Sequence, residues 1–374
     1  MIVGVPKELK TAETRVGLNP TWVKKLTAYG HEVLIQSMAG EASGFCDEKY
    51  VLAGAKIVNT IDEIYAKAEF VVKVKELQPY EYGLLKEDQM IMAWFHLAED
   101  VNHEMTLALL NKKDISLSME LIVLPDGTRP TIKPMSEIAG TLAMLEAVKY
   151  AQYGYGGKGI LLRKLAGLPS SNVLILGGGN AGLNTAQVAV GLGLNVTIME
   201  ASMKRIDYLN NQLPQVDILG WDKDMMFEEL IQSDVLINTI YPMPGVTEPL
   251  ITREMVSKMK PNSIIIDIAG TGIIETSRYT TLEDPVYYEQ EVLHYCVPNM
   301  PALCPQTSTN MMLMTTGPYI MNIANNGLKE VVENDVIVRN CISTLNGEIV
   351  HHEVGINHNM PYTDIKTELL LSKK

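Results

Sequence analysis

The chain has 374 residues, 47% hydrophobic and 20% charged, which is length enough for two or three domains with their own cores and excludes a disordered chain. A net charge of −13 with no basic cluster excludes a protein that tracks nucleic-acid phosphates, and no apolar run reaches the ~18 residues that cross a bilayer. Cys46, Cys296, Cys304 and Cys341 form no C-x-x-C pair, so neither structural zinc nor any other metal is expected, and with no secretory signal at the start the expected compartment is the cytoplasm.

Short apolar runs alternate with helical patterns, as in βαβ units. The first stretch predicts strand Ile2–Val5, helix Pro20–Tyr29 and strands Glu32–Ile35, Phe70–Val74 and Met90–Phe95, then helix Asn102–Leu110 and strand Ile115–Ser118. Ser136 reads as the N-cap of a long helix carrying Ile138, Leu142, Leu145 and Val148 at helical spacing. Residues 153–159, with four glycines, read as a loop. Beyond Asn172 the pattern predicts strands Val173–Leu176, Asn195–Met199, Val235–Thr239, Ile264–Ile268 and Leu293–Val297, with helices Ala181–Leu192, Met225–Gln232 and Thr252–Met259 between them. A helix over Ser308–Asn326 is expected to pack back on the first domain, followed by a polar tail. The fold class is α/β: two Rossmann-like domains with doubly wound parallel sheets and a cleft between them.

Gly177, Gly179 and Gly182 follow an apolar strand and open a helix, and the next strand ends in an acid, Glu200. This is the dinucleotide fingerprint in its full context. Gly177 permits the tight turn, Gly179 lets backbone approach a pyrophosphate, and Gly182 lets helix and strand pack closely. Asn180 and Ala181 start the helix whose N-terminus would face the phosphates. Glu200 would bind the adenosine ribose and repel a 2′-phosphate, which favours NAD over NADP; Lys204 and Arg205 nearby weaken that preference. Lys204, Thr239, Ile240 and Ile268 complete the expected cofactor set. The alternative is a glycine-rich turn that binds nothing.

The chain resembles the alanine dehydrogenase family, which includes the NAD-binding subunit of transhydrogenase. The resemblance rests on Val5-Pro6-Lys7-Glu8, Arg15-Val16-Gly17-Leu18, Val72-Lys73-Val74-Lys75-Glu76, His96-Leu97-Ala98, Met135-Ser136-Glu137-Ile138-Ala139-Gly140, Gly156-Gly157-Lys158-Gly159-Ile160-Leu161-Leu162, the glycine fingerprint and Asn299-Met300-Pro301. It implies a substrate domain from both chain ends (1–134 and 308–374), an NAD domain between them (135–307), a homo-oligomer, often a hexamer, and reversible oxidative deamination of L-alanine to pyruvate and ammonia. By motif match it implies that Arg15 and Lys75 hold the substrate's carboxylate and carbonyl and that His96 is the acid/base. Ser136 would lie near the nicotinamide, with Asn299 and Met300 lining the cleft. The chemistry of a 2-oxo acid asks for such groups: an Arg fork for the carboxylate, an ammonium to polarise the carbonyl, and an imidazole to exchange protons near neutrality. Taken singly, Arg15 also reads as a surface ion-pair residue, Lys75 as a snorkelling strand end and His96 as a core histidine.

Three departures stand out. No aspartate follows Ala269, where the family carries one thought to be catalytic, and the turn Gly270–Ile274 is shorter by about two residues. Gln306 replaces the family's usual Arg, and Tyr241-Pro242-Met243-Pro244 makes a bulkier loop. They keep two alternatives open: a relative acting on another 2-oxo acid or imine, and a non-catalytic NAD-binding relative.

Overall fold

The computed structural model describes residues 1–98, 102–241, 248–270 and 272–366. They form two compact units, Met1–Met135 with the chain from Ala302 onward, and Ser136–Pro301. Among them no helix is long and apolar enough to cross a membrane.

In chain order the strands are β1 (Ile2–Val5), β2 (Glu32–Gln36), β3 (Lys56–Val58), β4 (Phe70–Lys75), β5 (Met90–Trp94), β6 (Ile115–Ser118), β7 (Asn172–Leu176), β8 (Asn195–Glu200), β9 (Asp217–Gly220), β10 (Val235–Asn238), β11 (Ile264–Asp267), β12 (Val286–Glu289), β13 (Val292–Tyr295), β14 (Ile342–Leu345) and β15 (Glu348–Ile349). The first unit holds the sheet β15-β14-β6-β5-β4-β1-β2-β3, the second β12-β13-β11-β10-β7-β8-β9. Their strands are near-continuous Val, Ile and Leu because helices cover both faces. Each unit accordingly has two apolar clusters, one holding Val3, Val72 and Met92 and another Leu34, Val71 and Ile91 in the first, and likewise Ile175 and Ile266 against Leu174 and Ile265 in the second.

The sheets are mixed rather than wholly parallel. β12 runs antiparallel to β13, and β14 antiparallel to both β6 and β15. Two-residue turns set the β12/β13 and β14/β15 pairings. Gln290 and Glu291 between β12 and β13, and Asn346 and Gly347 between β14 and β15, all have positive φ, the geometry of a primed hairpin turn that leaves no room for a crossover. The expected polar tail is therefore folded: helices Leu328–Asn334, Val336–Asn340 and His352–His358 flank the second hairpin, and Val331, Val338, Ile342, Ile349 and Val354 are buried.

The helix Pro305–Asn326 packs on the first unit as expected, through Met312, Leu313, Ile320 and Ile323. At Gly317 a Cβ would stand 2.2 Å from the Trp22 ring, so only glycine admits that contact. Two boundaries are corrected. The long helix begins at Lys133 and runs to Tyr150, so Ser136 lies inside its first turns and does not cap it. The helix expected over Thr252–Met259 is the single turn Arg253–Val256, capped by Thr252. A further helix, Met203–Gln212, escaped the pattern reading.

Asp114, at the head of β6, is fully buried, and neither carboxyl oxygen finds a hydrogen-bond partner. Burial pushes its carboxyl up to about 8. The folded protein thus keeps a proton that the unfolded chain releases near pH 4, so Asp114 makes stability fall as pH rises towards 8. Asp114→Asn has no such proton to lose. Its thermal midpoint should decline by several degrees less than that of the unmodified chain between pH 5 and pH 9; parallel melting curves would contradict this.

Candidate active site

In the first unit the order of strands reverses between β1 and β4: β2 and β3 lie on one side, β5 and β6 on the other. Ligands of such sheets bind beyond the carboxyl ends at that point. Arg15 stands in the loop after β1, Lys75 is the last residue of β4, and His96 follows β5, so all three occupy the carboxyl edge at or beside the reversal.

Gly17 brings the Arg15 loop down on the sheet. A Cβ there would stand 2.2 Å from the Val72 carbonyl oxygen, so the sequence Arg15-Val16-Gly17-Leu18 owes its glycine to contact with β4. Arg15 is 3% exposed and forks onto Glu13, with Nε donating to Oε1 at 2.7 Å and Nη2 to Oε2 at 2.5 Å. It is a buried pair, not a surface one. The guanidinium carbon sits 5.4 Å from the centre of the Trp94 ring, and Nη1 lies 3.2 Å from Met135 Sδ. Glu13 thus takes the Nε–Nη2 edge of the guanidinium bidentately.

Trp94 pairs with Lys75 across β4 and β5. Burial, then the charges of Arg15 and Lys10, lower the pKa of the Lys75 ammonium, against the opposing pull of Glu76 and Glu13. Lys10 and Glu76 form an ion pair beside it. His96 adopts a left-handed backbone, φ 55°, and its N–H donates to Oε1 of the buried Glu120 at 2.7 Å. A cavity of about 130 Å³ is walled by Lys7, Glu8, Glu13 and Arg15, without Lys75 or His96.

The second unit repeats the logic. Its strand order reverses between β7 and β10, and the glycine loop leaves β7 there. Gly177 has φ +87°, and a Cβ on it would meet Ile240 Cγ1 at 2.9 Å and Thr239 Oγ1 at 3.0 Å. A Cβ on Gly182 would stand 2.0 Å from the Gly177 carbonyl oxygen, whereas one on Gly179 would meet nothing within 4 Å. Gly179 is the N-cap of the helix Asn180–Gly191, and no side chain caps it. An open backbone face at a bare helix N-terminus fits an anionic pyrophosphate.

Glu200 ends β8 and already supports the loop: Oε2 accepts from the Gly178 N–H at 2.8 Å and Oε1 from Ser202 at 2.9 Å. Each carboxylate oxygen keeps capacity for another donor, so these bonds fit a ribose as well. Lys204 is exposed, and its neighbour Arg205 is the residue that reaches the loop, with Nε 2.5 Å from the Gly178 carbonyl oxygen. Thr239 lies just past β10 and donates from Oγ1 towards the carbonyls of Leu176 and Gly177. Ile240 is tied back by its N–H to Asn238 Oδ1 at 3.0 Å, and Ile268 is half-buried beyond β11. Asn299 has φ 56°, and Met300 is 2% exposed, packed in the core of the unit.

Of the departures, Gln306 rests over the left-handed Gly44, whose Cβ would meet Nε2 at 2.7 Å. Asp267 is buried and spends Oδ1 on Asn238 Nδ2 and on the N–H groups of Ala269 and Gly270, so it shapes the short turn. Burial raises its pKa. The Tyr279 hydroxyl covers Gly270. Thr271 and Pro242-Met243-Pro244 lie outside the described residues. Glu8, Glu13, Trp94 and Glu120 were missed from sequence. Glu8 and Glu13 gave no signal, since they alternate with Lys7, Lys10 and Arg15 in the loop after β1.

Residues 4–139 match the family described as Alanine dehydrogenase/PNT, N-terminal domain, and residues 143–352 its C-terminal domain. An alanine dehydrogenase of Methanococcus maripaludis is 38% identical over 99% of this chain and all of its own length, and one of Geobacillus stearothermophilus is 37% identical over the same shares. A solved L-alanine dehydrogenase superimposes with a TM-score of 0.90 at 34% identity, covering 99% of this chain and all of that one. A transhydrogenase structure from Sinorhizobium meliloti shares the fold, with a TM-score of 0.81 at 22% identity over 94% of this chain and all of its own. The chain belongs to the alanine dehydrogenase/transhydrogenase family.

Proposed function

We propose that the chain is an NAD-dependent alanine dehydrogenase that converts L-alanine and water reversibly to pyruvate and ammonia. The observation that carries this is the placement of Arg15, Lys75 and His96 at the carboxyl ends of neighbouring strands of one sheet, in a chain that matches an alanine dehydrogenase over 99% of its length. The unit built from both chain ends would bind substrate and the middle unit the dinucleotide.

A bound NAD would supply the hydride acceptor. The chain's own residues do the rest. Arg15, fixed by Glu13, would hold the substrate carboxylate. Lys75 donates from its ammonium to the oxygen of the carbonyl or carbinolamine as negative charge gathers there. Its lowered pKa makes it a better donor than an ordinary lysine. His96 takes the proton from the attacking water and returns one to the departing amine. Glu200 supports the choice of NAD over NADP. Tyr153, Tyr155, Leu161, Leu165 and Leu168 expose a run of apolar surface on the middle unit, which supports a homo-oligomer, a hexamer by family likeness.

The missing aspartate after Ala269 favours one second reading, a relative that works on another 2-oxo acid or imine. NADH formation from L-alanine beside a panel of amino acids and amines separates the two: alanine should be the best substrate, and a better one elsewhere in the panel would install the second reading. Binding of NAD with no turnover on any member would leave a non-catalytic relative.

His96→Ala should lower kcat by about 10²–10⁴-fold with NAD affinity unchanged. Lys75→Ala should do likewise, whereas Arg15→Ala should raise KM for pyruvate more than it lowers kcat. Full turnover by His96→Ala would end the proposed chemistry. For the cofactor, Gly179→Ala should fold normally but bind NAD more weakly, Gly182→Ala should lose thermal stability, and Glu200→Ser should narrow the preference over NADP, all measured by calorimetry. Light scattering should return several chain masses; a monomer at micromolar concentration would count against assembly.

A further inference from the structure

β4 is irregular at its carboxyl end. Val72 faces Met92 and Lys75 faces Trp94, so two residues of β4, Lys73 and Val74, stand opposite the single Ala93 of β5. A bulge of this kind takes N–H groups out of the ladder and turns the side chains that follow. Buried N–H groups so released need a new acceptor. Here it is Glu8, from the loop after β1: Oε1 accepts from the Val74 N–H at 2.6 Å and Oε2 from the Lys75 N–H at 3.4 Å.

Glu8 is itself held. Its side chain is 2% exposed, and Lys73 Nζ stands 3.5 Å from Oε2. Lys73, wholly buried, is shared with Glu81, whose Oε1 lies 2.6 Å away and also accepts from the Tyr65 hydroxyl at 2.8 Å, while the Gln78 N–H donates to Oε2. A charged network of this size is expensive to bury; Glu81 alone already stands 2.6 Å from the Lys73 ammonium, while Glu8 reaches on to the bulge.

We propose that Glu8 is a positioning residue: its carboxylate captures the N–H groups freed by the β4 bulge and so fixes the direction in which Lys75 leaves the sheet edge. This rests on the reading of Lys75 as the group that polarises the substrate carbonyl. A misplacement of about 1 Å at such a group costs as much as 100-fold in rate.

A double-mutant cycle on the full-length protein tests it. Glu8→Gln should lower kcat for alanine oxidation by about 10- to 100-fold with NAD affinity unchanged. In a Lys75→Ala background the same change should cost less than about twofold, because the group being positioned is gone. Losses that multiply would show that Glu8 acts on the fold at large and would overturn the proposal. Should Glu8→Gln fail to fold, Glu8→Asp, too short to reach both amides, enters the same cycle. Amide exchange gives a reading independent of activity and separates the two ideas should Lys75→Ala retain turnover. The Val74 amide should be protected in the unmodified protein by about 10- to 100-fold beyond an unpaired amide, the worth of a hydrogen bond to a charged acceptor; free exchange there would sink the clamp whatever the role of Lys75.

Discussion

A parallel sheet that winds outward from its first strand in both directions sends the connections of its two central strands to opposite faces, and no loop closes over their carboxyl ends. Both units are built on that constraint, between β1 and β4 in one and β7 and β10 in the other. The residues with chemistry to offer are those that reach these gaps: Arg15 and Lys75 flank the first, and Gly177, Thr239 and Ile240 the second. Glycines then set how near the loops come. Gly17 lies almost on the Val72 carbonyl and Gly182 on that of Gly177, so a methyl group at either would lift its loop away from the edge.

The first unit spends an unusual share of its interior on charge. Arg15 with Glu13, and Lys73 with Glu8 and Glu81, are buried almost completely. Replacing such pairs by apolar residues of equal volume often leaves stability unchanged or improves it. Their value lies in geometry: an ion pair out of water holds two side chains in one arrangement and keeps their field strong at the surface they support. Glu120 does the same for His96, whose left-handed turn is anchored by its own N–H.

Much of this was legible in the sequence. The apolar runs gave nearly every parallel strand to within two residues, since a strand covered on both faces cannot alternate. The glycine loop after β7 was legible because Gly177 and Gly182 each have a steric reason to be there. What stayed hidden depended on partners distant in the chain. The hairpin at Asn346-Gly347 carried a local signal, but its strands are short and its helices small, and the segment read as polar until burial by β6 gave it a face. Glu8, Glu13 and Glu120 looked like ordinary surface acids, because a carboxylate that holds an arginine fork or a strand bulge is spelled the same way as one in solvent. Ser136 misled for a related reason: a good capping residue can sit inside a helix that starts one turn earlier.

β14 inserts beside β6 more than 220 residues after it in the chain, as the pairing of Leu117 with Ile342 requires. A ribosome therefore releases the whole of the middle unit before the first unit can finish its sheet. During that interval β6 presents an unpaired edge, flanked by the apolar surface that Ile342 and Leu345 will later cover. The middle unit can fold as a self-contained insertion, while the first must wait, half-formed, for its own far end. Synthesis order thus makes the first unit the slow and aggregation-exposed one. The helix Pro305–Asn326, arriving just ahead of β14, is the first C-terminal element able to shield it, by docking Gly317 on Trp22.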